Sequence, residues 1–309
     1  MQTKILVGLL FFVIIFSPKL SAEVSILFLG DIFPGGRVQM NYLLGRETLD
    51  PALKKLIDKA DIVIGNFECA ASYHPVGADK MYLLRLIPDL PSPADEFKLT
   101  AVTVANNHIL DYGNESLNDT LTYLRLRKIL VTGAGSNLDE AMKPAIITTK
   151  TGETVRLFGF SAITPSFFAT SVKPGTCPAN GEIIKRTLQK YASNKGIDIV
   201  YFHFGQEYSP HVTDEQRRLV QTALDNGADI VVGSHAHVVQ PWEMIGGKPV
   251  FFGLGNTLFD IDDKLYTKPG IVPFITVKKD KTMTVSVHSI ISEPGFYLPK
   301  IVPENVVKQ

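Results

Sequence analysis

Short apolar runs rich in Val, Ile and Phe recur along the chain, and amphipathic or polar segments separate them. Their brevity, their β-branched residues and their polar flanks predict β-strands, most of them buried on both faces. Strands that alternate with helical segments predict a layered α/β fold with mixed or parallel sheets. The predicted strands span residues 24–29, 61–65, 100–105, 145–149, 155–160, 198–204, 229–233 and 248–254.

Three segments between these runs have the apolar spacing of helices, namely 114–129, 181–194 and 213–226. The third opens with Thr213 and Gln216 at the spacing of a capping box, in which each side chain accepts a hydrogen bond from the other residue's backbone. These segments are expected to form the helical layers of the α/β fold.

The composition fits one large folded domain, because apolar residues make up 45% and charged residues 20% of the 309 positions. No repeat or interior linker divides the sequence, and residues 271–291 alternate apolar and polar side chains as antiparallel edge strands do. We therefore expect a single domain over residues 23–309. Lys and Arg total 31 and Asp and Glu total 31, so a basic surface that binds nucleic acid is not expected.

The N-terminus has the pattern of a secretory signal. Lys4 precedes an uninterrupted apolar run at 5–16, and Pro18 and small residues follow up to Ala22. This pattern predicts a signal peptide over residues 1–22 and export to the periplasm or the extracellular space. The alternative is an uncleaved membrane tether, although a membrane span needs roughly 20 apolar residues and this run is shorter.

The two cysteines, Cys69 and Cys177, are too few for a disulfide framework. An oxidising compartment would permit a bridge between them, but nothing in the sequence places them within bonding distance. We expect two buried free thiols.

Unusual polar residues stand where most of the predicted strands end. In an α/β sheet, ligands bind outside the carboxyl ends of the strands, so these side chains are expected to converge on one site. The candidates are Asp31, Glu68, Asn107, His108, His203, His235 and His237.

Apart from His108, these candidates comprise two carboxylates, one amide and three imidazoles, without a thiolate. Such a set suits a divalent ion such as Mn, Zn, Fe or Mg, and one or two ions could share the site. A single histidine on an apolar strand, such as His203, is more often a hydrogen-bonded core residue than a metal ligand. His235 and His237 would point to opposite faces of a regular strand unless the chain turns there, and Gly233 could allow that turn. The joint pattern nevertheless favours a metal site, because four of the seven histidines fall at predicted strand ends.

Six stretches of the sequence carry a distinctive set of motifs, most clearly Asn-Asn-His-Ile-Leu-Asp-Tyr-Gly at 106–113. The stretches lie at residues 30–37, 66–68, 105–113, 203–208, 233–240 and 253–260. Together they resemble the capsule-biosynthesis family whose best-known members act in poly-γ-glutamate production. That family belongs by fold to the calcineurin-like metallophosphoesterase superfamily. The resemblance implies a four-layer α-β-β-α sandwich of two mixed sheets, with a dinuclear metal centre at the strand ends.

The resemblance also implies roles for the candidate ligands. Asp31 corresponds to the first-strand aspartate, and Glu68 takes the place of the bridging aspartate. Asn107 and His203 correspond to ligands of the second ion. The final histidine pair of the motif, one imidazole for each ion, corresponds to His235 and His237.

Further residues are implied as catalytic groups, with one departure from the family pattern. His108 would lie outside the metal ligands, as a general acid or an electrostatic partner for the leaving oxygen. Arg37 would suit an anionic group, and Glu207 a metal or a substrate amine. Phe33 stands where catalytically typical members have a histidine ligand, which implies a weaker or single-metal centre.

Two functions of different class fit these observations. The first is a metal-dependent hydrolase that acts on a phosphoester or an amide-linked acidic polymer outside the cytoplasm, and the presence of His108 favours it. The second is a non-catalytic subunit of a membrane synthesis or export complex that binds an acidic polymer, and the absence of a histidine at position 33 favours it. Both place the protein in the assembly and export of a surface polymer.

Overall fold

The computed structural model describes residues 23–46, 49–260, 269–293 and 296–308. The predicted signal peptide, 1–22, lies outside the described residues. The strands are β1 (Glu23–Ile32), β2 (Ile62–Phe67), β3 (Ala70–Ala71), β4 (Arg85–Leu86), β5 (Ala101–Thr103), β6 (Leu130–Thr132), β7 (Ala134–Gly135), β8 (Ala145–Thr148), β9 (Thr154–Ser161), β10 (Gly175–Thr176), β11 (Ile197–His203), β12 (Ile230–Ser234), β13 (Val239–Ile245), β14 (Lys248–Leu254), β15 (Asn256–Leu258), β16 (Gly270–Lys278), β17 (Met283–Glu293) and β18 (Phe296–Lys308).

Helices connect many of these strands. Within the described residues, no helix is both long and apolar enough to cross a membrane. The α-helices are α1 (Gly36–Leu43), α2 (Pro51–Lys59), α3 (Gly113–Leu126), α4 (Leu138–Ala141), α5 (Gly181–Tyr191) and α6 (Asp214–Asp225), and short 3-10 helices form at Pro93–Phe97 and Pro165–Phe167.

Two large mixed sheets organise the molecule. The first has the order β18-β17-β16-β1-β2-β5-β6, and β15 also pairs with β1. Strands β1, β2, β5 and β6 run parallel, whereas β16, β17 and β18 are antiparallel. The second has the order β13-β14-β12-β11-β9-β8, with a parallel centre from β9 to β14 and an antiparallel strand at each edge.

The two sheets pack face to face over an apolar layer. Phe28 and Ile64 of the first sheet lie in the same buried cluster as Tyr201 and Phe251 of the second. The Tyr201 hydroxyl donates to the Leu29 carbonyl at 2.8 Å, which satisfies a polar group between the sheets. Burial of this layer fixes how the strand ends of one sheet face those of the other.

Helices cover the outer face of each sheet. Leu53 of α2 and Leu117 of α3 belong to the cluster against the first sheet, and Ile184 of α5 and Val220 of α6 belong to the cluster against the second. The layers therefore follow the order α-β-β-α, and the predicted fold class is confirmed.

The predicted elements are confirmed with small changes at their ends. All eight predicted strands form, and the three predicted helices are α3, α5 and α6. Thr213 and Gln216 make the reciprocal capping box of α6. The expectation that residues 271–291 form edge strands is wrong in one respect: β16 and β17 pair on both sides, and β18 lies at the edge. Cys69 and Cys177 are buried free thiols.

Candidate metal centre

The predicted site residues lie at the carboxyl ends of parallel strands in both sheets. Asp31 is near the end of β1, Glu68 directly follows β2, and Asn107 lies shortly after β5. His203 ends β11, and His235 directly follows β12. Because the sheets pack face to face, both sets of strand ends border one polar pocket.

Direct contacts join the two sheets within this pocket. His203 Nε2 lies 2.6 Å from Asn107 Oδ1 and 3.5 Å from Glu68 Oε1. His237 Nδ1 lies 3.4 Å from Asp31 Oδ2. All five side chains are buried. The predicted convergence is therefore present, while the assignment of these residues as metal ligands stays a prediction.

The ligand atoms fall into two groups that share one carboxylate. Glu68, His203 and His235 form one group, and Asp31, Glu68 and His237 form the other. Within each group the candidate ligand atoms lie within 4.8 Å of one another. Glu68 is in a position to serve both groups, as expected of a side chain that bridges two ions.

The chain turns immediately after β12, which brings two imidazoles to the same pocket. His235 and His237 adopt φ angles of 89° and 53°, so the segment is not a regular strand in this region. The His235 backbone N–H donates to Asp31 Oδ2 at 3.2 Å. Gly233 does not form this turn as expected; it lies inside β12, where a Cβ atom would come within 2.2 Å of the Phe252 carbonyl oxygen.

Two amide side chains orient the candidate ligands and were missed in the sequence analysis. Asn66 Nδ2 donates to Asp31 Oδ1 at 2.8 Å and to Glu68 Oε2 at 3.1 Å. His237 Nδ1 lies 2.8 Å from Asn256 Oδ1, which leaves Nε2 of that imidazole for a ligand. Such partners fix the direction of a metal ligand. The signal was available, because both residues lie in the stretches that carry the resemblance.

The two carboxylates of the site have opposite pKa shifts. Burial, and next the charge of Asp31, raise the pKa of Glu68 well above its ordinary value. Burial also acts to raise the pKa of Asp31, but the hydrogen bond and charge of His237 outweigh it and hold the pKa below its ordinary value. Two adjacent buried carboxylates repel each other, and a cation between them would relieve that repulsion.

Most of the imidazoles in the pocket favour the neutral form. Burial, and next the charge of His235, lower the pKa of His203 well below its ordinary value. Burial and the charge of His237 lower the pKa of His235 to about 3. His237 differs, because its contact with Asp31 raises its pKa despite the opposing effect of burial. Neutral imidazoles carry the free lone pair that a metal requires.

Two buried polar atoms of the pocket lack any hydrogen-bond partner in the described structure, Glu68 Oε1 and His235 Nδ1. Buried polar groups are rarely left without a partner, because each such group costs free energy. Both atoms belong to residues of the two ligand groups. A divalent cation would satisfy them, so the residues present fit a metal centre of nitrogen and oxygen ligands.

A second polar network adjoins the candidate ligands. His108 Nδ1 lies 2.7 Å from Asp111 Oδ2, and Lys80 Nζ lies 2.6 Å from Asp111 Oδ1. Lys80 also donates to the Asn107 carbonyl at 2.6 Å. Burial lowers the pKa of His108 even though Asp111 acts in the opposite direction. The sequence analysis did not single out Asp111 or Lys80; Asp111 lies in the 106–113 motif, three residues after His108.

The other two predicted catalytic residues lie outside both ligand groups. Arg37 is 58% exposed at its side chain, and its Nε lies 2.6 Å from Asp260 Oδ1. Glu207 is exposed on the turn after β11. Its charge nevertheless acts to raise the pKa of Glu68 and of His237. Both assignments stay predictions.

Phe33 occupies the position where the resemblance implies a histidine in typical members. Its ring is buried and packs edge-on against Phe259, with 5.7 Å between ring centroids. The Phe259 ring in turn lies 4.7 Å from the imidazole of His237. An apolar wall therefore borders the centre on this side.

Known proteins share this sequence pattern over most of the chain. The chain is 32% identical over 237 residues to the PGA biosynthesis protein CapA of Bacillus subtilis (strain 168), which covers 75% of this chain and 62% of that protein. It is 28% identical to the capsule biosynthesis protein CapA of Bacillus anthracis, with 77% and 60% covered. The chain thus spans about three fifths of the length of these curated relatives.

A comparison with solved structures gives a match at low sequence identity. A putative 5'-nucleotidase from Staphylococcus aureus is 15% identical, with a TM-score of 0.46 over 93% of this chain and 54% of that protein.

The sequence model of the bacterial capsule synthesis protein family, PGA_cap, matches residues 25–261. This match covers most of the chain and contains every candidate ligand, and the chain therefore belongs to the bacterial capsule synthesis protein family.

Proposed function

We propose that this protein is an exported hydrolase that acts in the assembly of an anionic surface polymer, through a metal centre built on both sheets. The observation that carries the proposal is the buried cluster of carboxylate and imidazole groups in which Glu68 Oε1 and His235 Nδ1 have no described partner. The bond cleaved is a phosphoester or an amide link of an acidic polymer.

The candidate ligands would hold the metal, and other side chains of the pocket would transfer the proton. A divalent ion held by Asp31, Glu68, Asn107, His203, His235 and His237 would polarise a phosphoryl or carbonyl oxygen and lower the pKa of water.

His108 is the candidate that protonates the leaving group. Its Nδ1 faces the carboxylate of Asp111 at 2.7 Å, which fixes the tautomer with the Nδ1 proton on that side. Asp111 also accepts from Lys80 and from the Leu84 backbone N–H at 2.8 Å. To act as the acid, His108 must first take up a second proton at Nε2, which it then gives to the leaving group while Asp111 keeps the Nδ1 proton in place.

The biological setting is proposed from the family and the N-terminal sequence. Curated relatives are named as PGA and capsule biosynthesis proteins, which supports a role in the synthesis of a surface polymer. The signal pattern of residues 1–22 supports export, cleaved or retained as a tether. A membrane complex that makes or exports the polymer is the expected partner.

The proposal is tested on the purified full chain by metal analysis and by turnover of a generic phosphodiester and a γ-glutamyl oligomer. We expect bound divalent metal and metal-dependent turnover of one substrate. Substitution of His108→Asn should abolish most turnover and leave the metal content unchanged. Turnover that is equal in His108→Asn and wild type would contradict an enzymatic role for this site.

A non-catalytic polymer-binding subunit is the second candidate, and the buried Phe33 ring favours it. In that case the chain would bind an acidic polymer without cleaving it. The variant Phe33→His separates the two, with Phe33→Leu as its matched control for lost aromatic packing. Turnover that is absent in wild type but gained in Phe33→His would identify a binding protein that has lost an ancestral ligand.

A further inference from the structure

A cleft with two arginines opens beside the metal centre. It has a volume of about 580 Å³ and lies between the loop after β1, the strand β4 and the start of α3. The residues that define its chemistry are Phe33, Arg37, Tyr82, Arg85, Tyr112 and Asp260.

The cleft adjoins the metal centre through two of its walls. Phe33 lines the cleft and contacts Phe259, and Phe259 contacts His237, so two aromatic rings in series connect the cleft wall to a candidate ligand. Tyr112 directly follows Asp111, which holds His108. The cleft and the candidate centre are therefore neighbours in the fold.

Arg85 is held in place while most of its hydrogen-bonding capacity stays unused. Its guanidinium lies over the ring of Tyr112 at 4.5 Å. In the described part of the chain its side chain makes one hydrogen bond, from Nη1 to the His74 carbonyl at 3.2 Å. A guanidinium has five N–H donors in a planar fork that matches the oxygens of a carboxylate or a phosphate.

Among the described residues that line the cleft, the charged groups are Arg37, Arg85 and Asp260. Arg37 donates from its backbone N–H and from Nε to the carboxylate of Asp260, at 2.7 Å and 2.6 Å. One carboxylate thus faces two guanidinium groups among the lining residues. An anionic group that enters the cleft would meet a fixed cation in partly buried surroundings, where charge-assisted hydrogen bonds are strong.

Close packing of the backbone places the two arginines at the same cleft. Gly35 packs so closely on β4 that a Cβ atom at this position would lie 2.1 Å from the Arg85 carbonyl oxygen. The absence of a side chain at Gly35 lets the loop after β1 lie directly on β4. Arg37 and Arg85 are therefore presented by two segments in direct contact.

We propose that this cleft is a specificity subsite in which Arg85 binds an oxyanion of the substrate next to the bond that is cleaved. The subsite rests on the proposed function, because the neighbouring centre defines where the reaction occurs. A carboxylate of a glutamyl polymer and a phosphate present the same chemistry to Arg85. The exposed Tyr82 at the cleft edge, 70% accessible, offers a surface for the stem of a polymer unit.

The test measures binding of a short γ-glutamyl oligomer and of inorganic phosphate to the full chain by calorimetry. Arg85→Gln should weaken binding of the preferred anion roughly tenfold or more, since it removes a charge-assisted hydrogen bond. The affinity of Arg85→Lys for the anion should lie between those of wild type and Arg85→Gln, because lysine keeps the charge and lacks the planar fork of donors. Arg125 is an exposed cation about 20 Å along α3 from Tyr112, and the control variant Arg125→Gln should bind both anions as wild type does.

The outcomes distinguish the source of the anion and the two proposals. A loss confined to the oligomer identifies a carboxylate subsite, a loss confined to phosphate identifies a phosphoester subsite, and a loss of both identifies a general oxyanion subsite. Equal affinities of wild type and Arg85→Gln, or no binding of either anion to wild type, would overturn the inference. Metal content and turnover of wild type test the proposed function separately, because they do not depend on how Arg85 variants bind.

Discussion

Glu68 is the side chain on which the candidate metal centre depends most, because both ligand groups include it. Its Oε1 is buried without a hydrogen-bond partner among the described residues, and its pKa is raised well above the ordinary value by burial and by Asp31. An ion would replace a proton at this position and make the ionised carboxylate favourable. The centre is thus built around a carboxylate that is unfavourable without a cation.

Glu68→Gln should reduce bound divalent metal at least tenfold, because the amide removes the charge and one anionic ligand while the size of the side chain is kept. Metal per protein is measured by elemental analysis after dialysis. Glu182→Gln, at an exposed position of α5, is the matched control and should keep the wild-type content. Equal metal in Glu68→Gln and wild type would exclude Glu68 as a ligand.

Asp111 allows the proposed catalysis to be tested separately from metal binding, since it contacts His108 and belongs to neither ligand group. In Asp111→Asn the amide cannot accept from both His108 and Lys80 with the same strength, so the imidazole loses its fixed tautomer. Turnover should fall by about 10²-fold or more, in the range that general acid–base groups contribute. Phosphodiester kinetics measure the loss, with Asp139→Asn as an exposed control. A drop in metal content equal to the drop in turnover would contradict this role.

At the scale of elements, the turn after β12 decides which way two imidazoles face. The sequence placed His235 and His237 two residues apart and left open whether they share a pocket. Their left-handed φ angles answer that question, but local sequence does not favour such angles at His. The contact of the His235 backbone with Asp31, on the other sheet, supports the turn. Interactions this distant are not visible in a sequence pattern.

The helices differ in how clearly the sequence indicates where each of them begins. Helix α2 has Asp50 as its N-cap and Pro51 at its first turn, a start signal that was present and overlooked. Helix α1 begins at Gly36 and has no side-chain cap, so no local sequence signal predicted where it begins. Helix α6 was predicted closely because its capping box defines its start.

The buried pair between β9 and β11 offers a stability prediction at this scale. Arg156 Nε lies 2.6 Å from Asp198 Oδ1, and both side chains are less than 10% exposed. Arg156→Met would leave the buried Asp198 carboxylate, among the described residues, with one remaining hydrogen bond, from the Ser193 backbone N–H at 2.9 Å. It should lower the free energy of unfolding by about 3–5 kcal/mol. Urea unfolding measures the change. Lys54→Met, which breaks an exposed pair, should change it far less.

A loss in Arg156→Met no larger than in Lys54→Met would show that the buried pair does not stabilise the fold. Metal content serves as an internal check on the same samples. Arg156 pairs with the first part of β11, whereas His203 ends that strand. Metal binding by folded Arg156→Met should therefore match wild type.

At the scale of the whole molecule, the candidate centre is formed by residues of both sheets and connects them. Asp31, Glu68 and Asn107 come from the first sheet, and His203 and His235 come from the second. The sequence predicted that polar residues gather at strand ends, because that follows from the topology of parallel strands. It could not predict the 2.6 Å contact of His203 with Asn107, because such a contact depends on how the sheets pack.

A ligand that joins two sheets in the folded state stabilises the whole fold, because the unfolded chain does not hold its ligands together. Metal at about 100 times its dissociation constant would add about 2.7 kcal/mol to the free energy of unfolding. The most direct measurement is thermal unfolding of the full chain with and without Mn²⁺ or Zn²⁺, in wild type and in Glu68→Gln/His235→Ala. We expect the metal to raise the Tm of wild type by several degrees and to leave the double variant unchanged. A wild-type Tm that does not respond to either metal, or an equal rise in both proteins, would contradict a metal centre at this site.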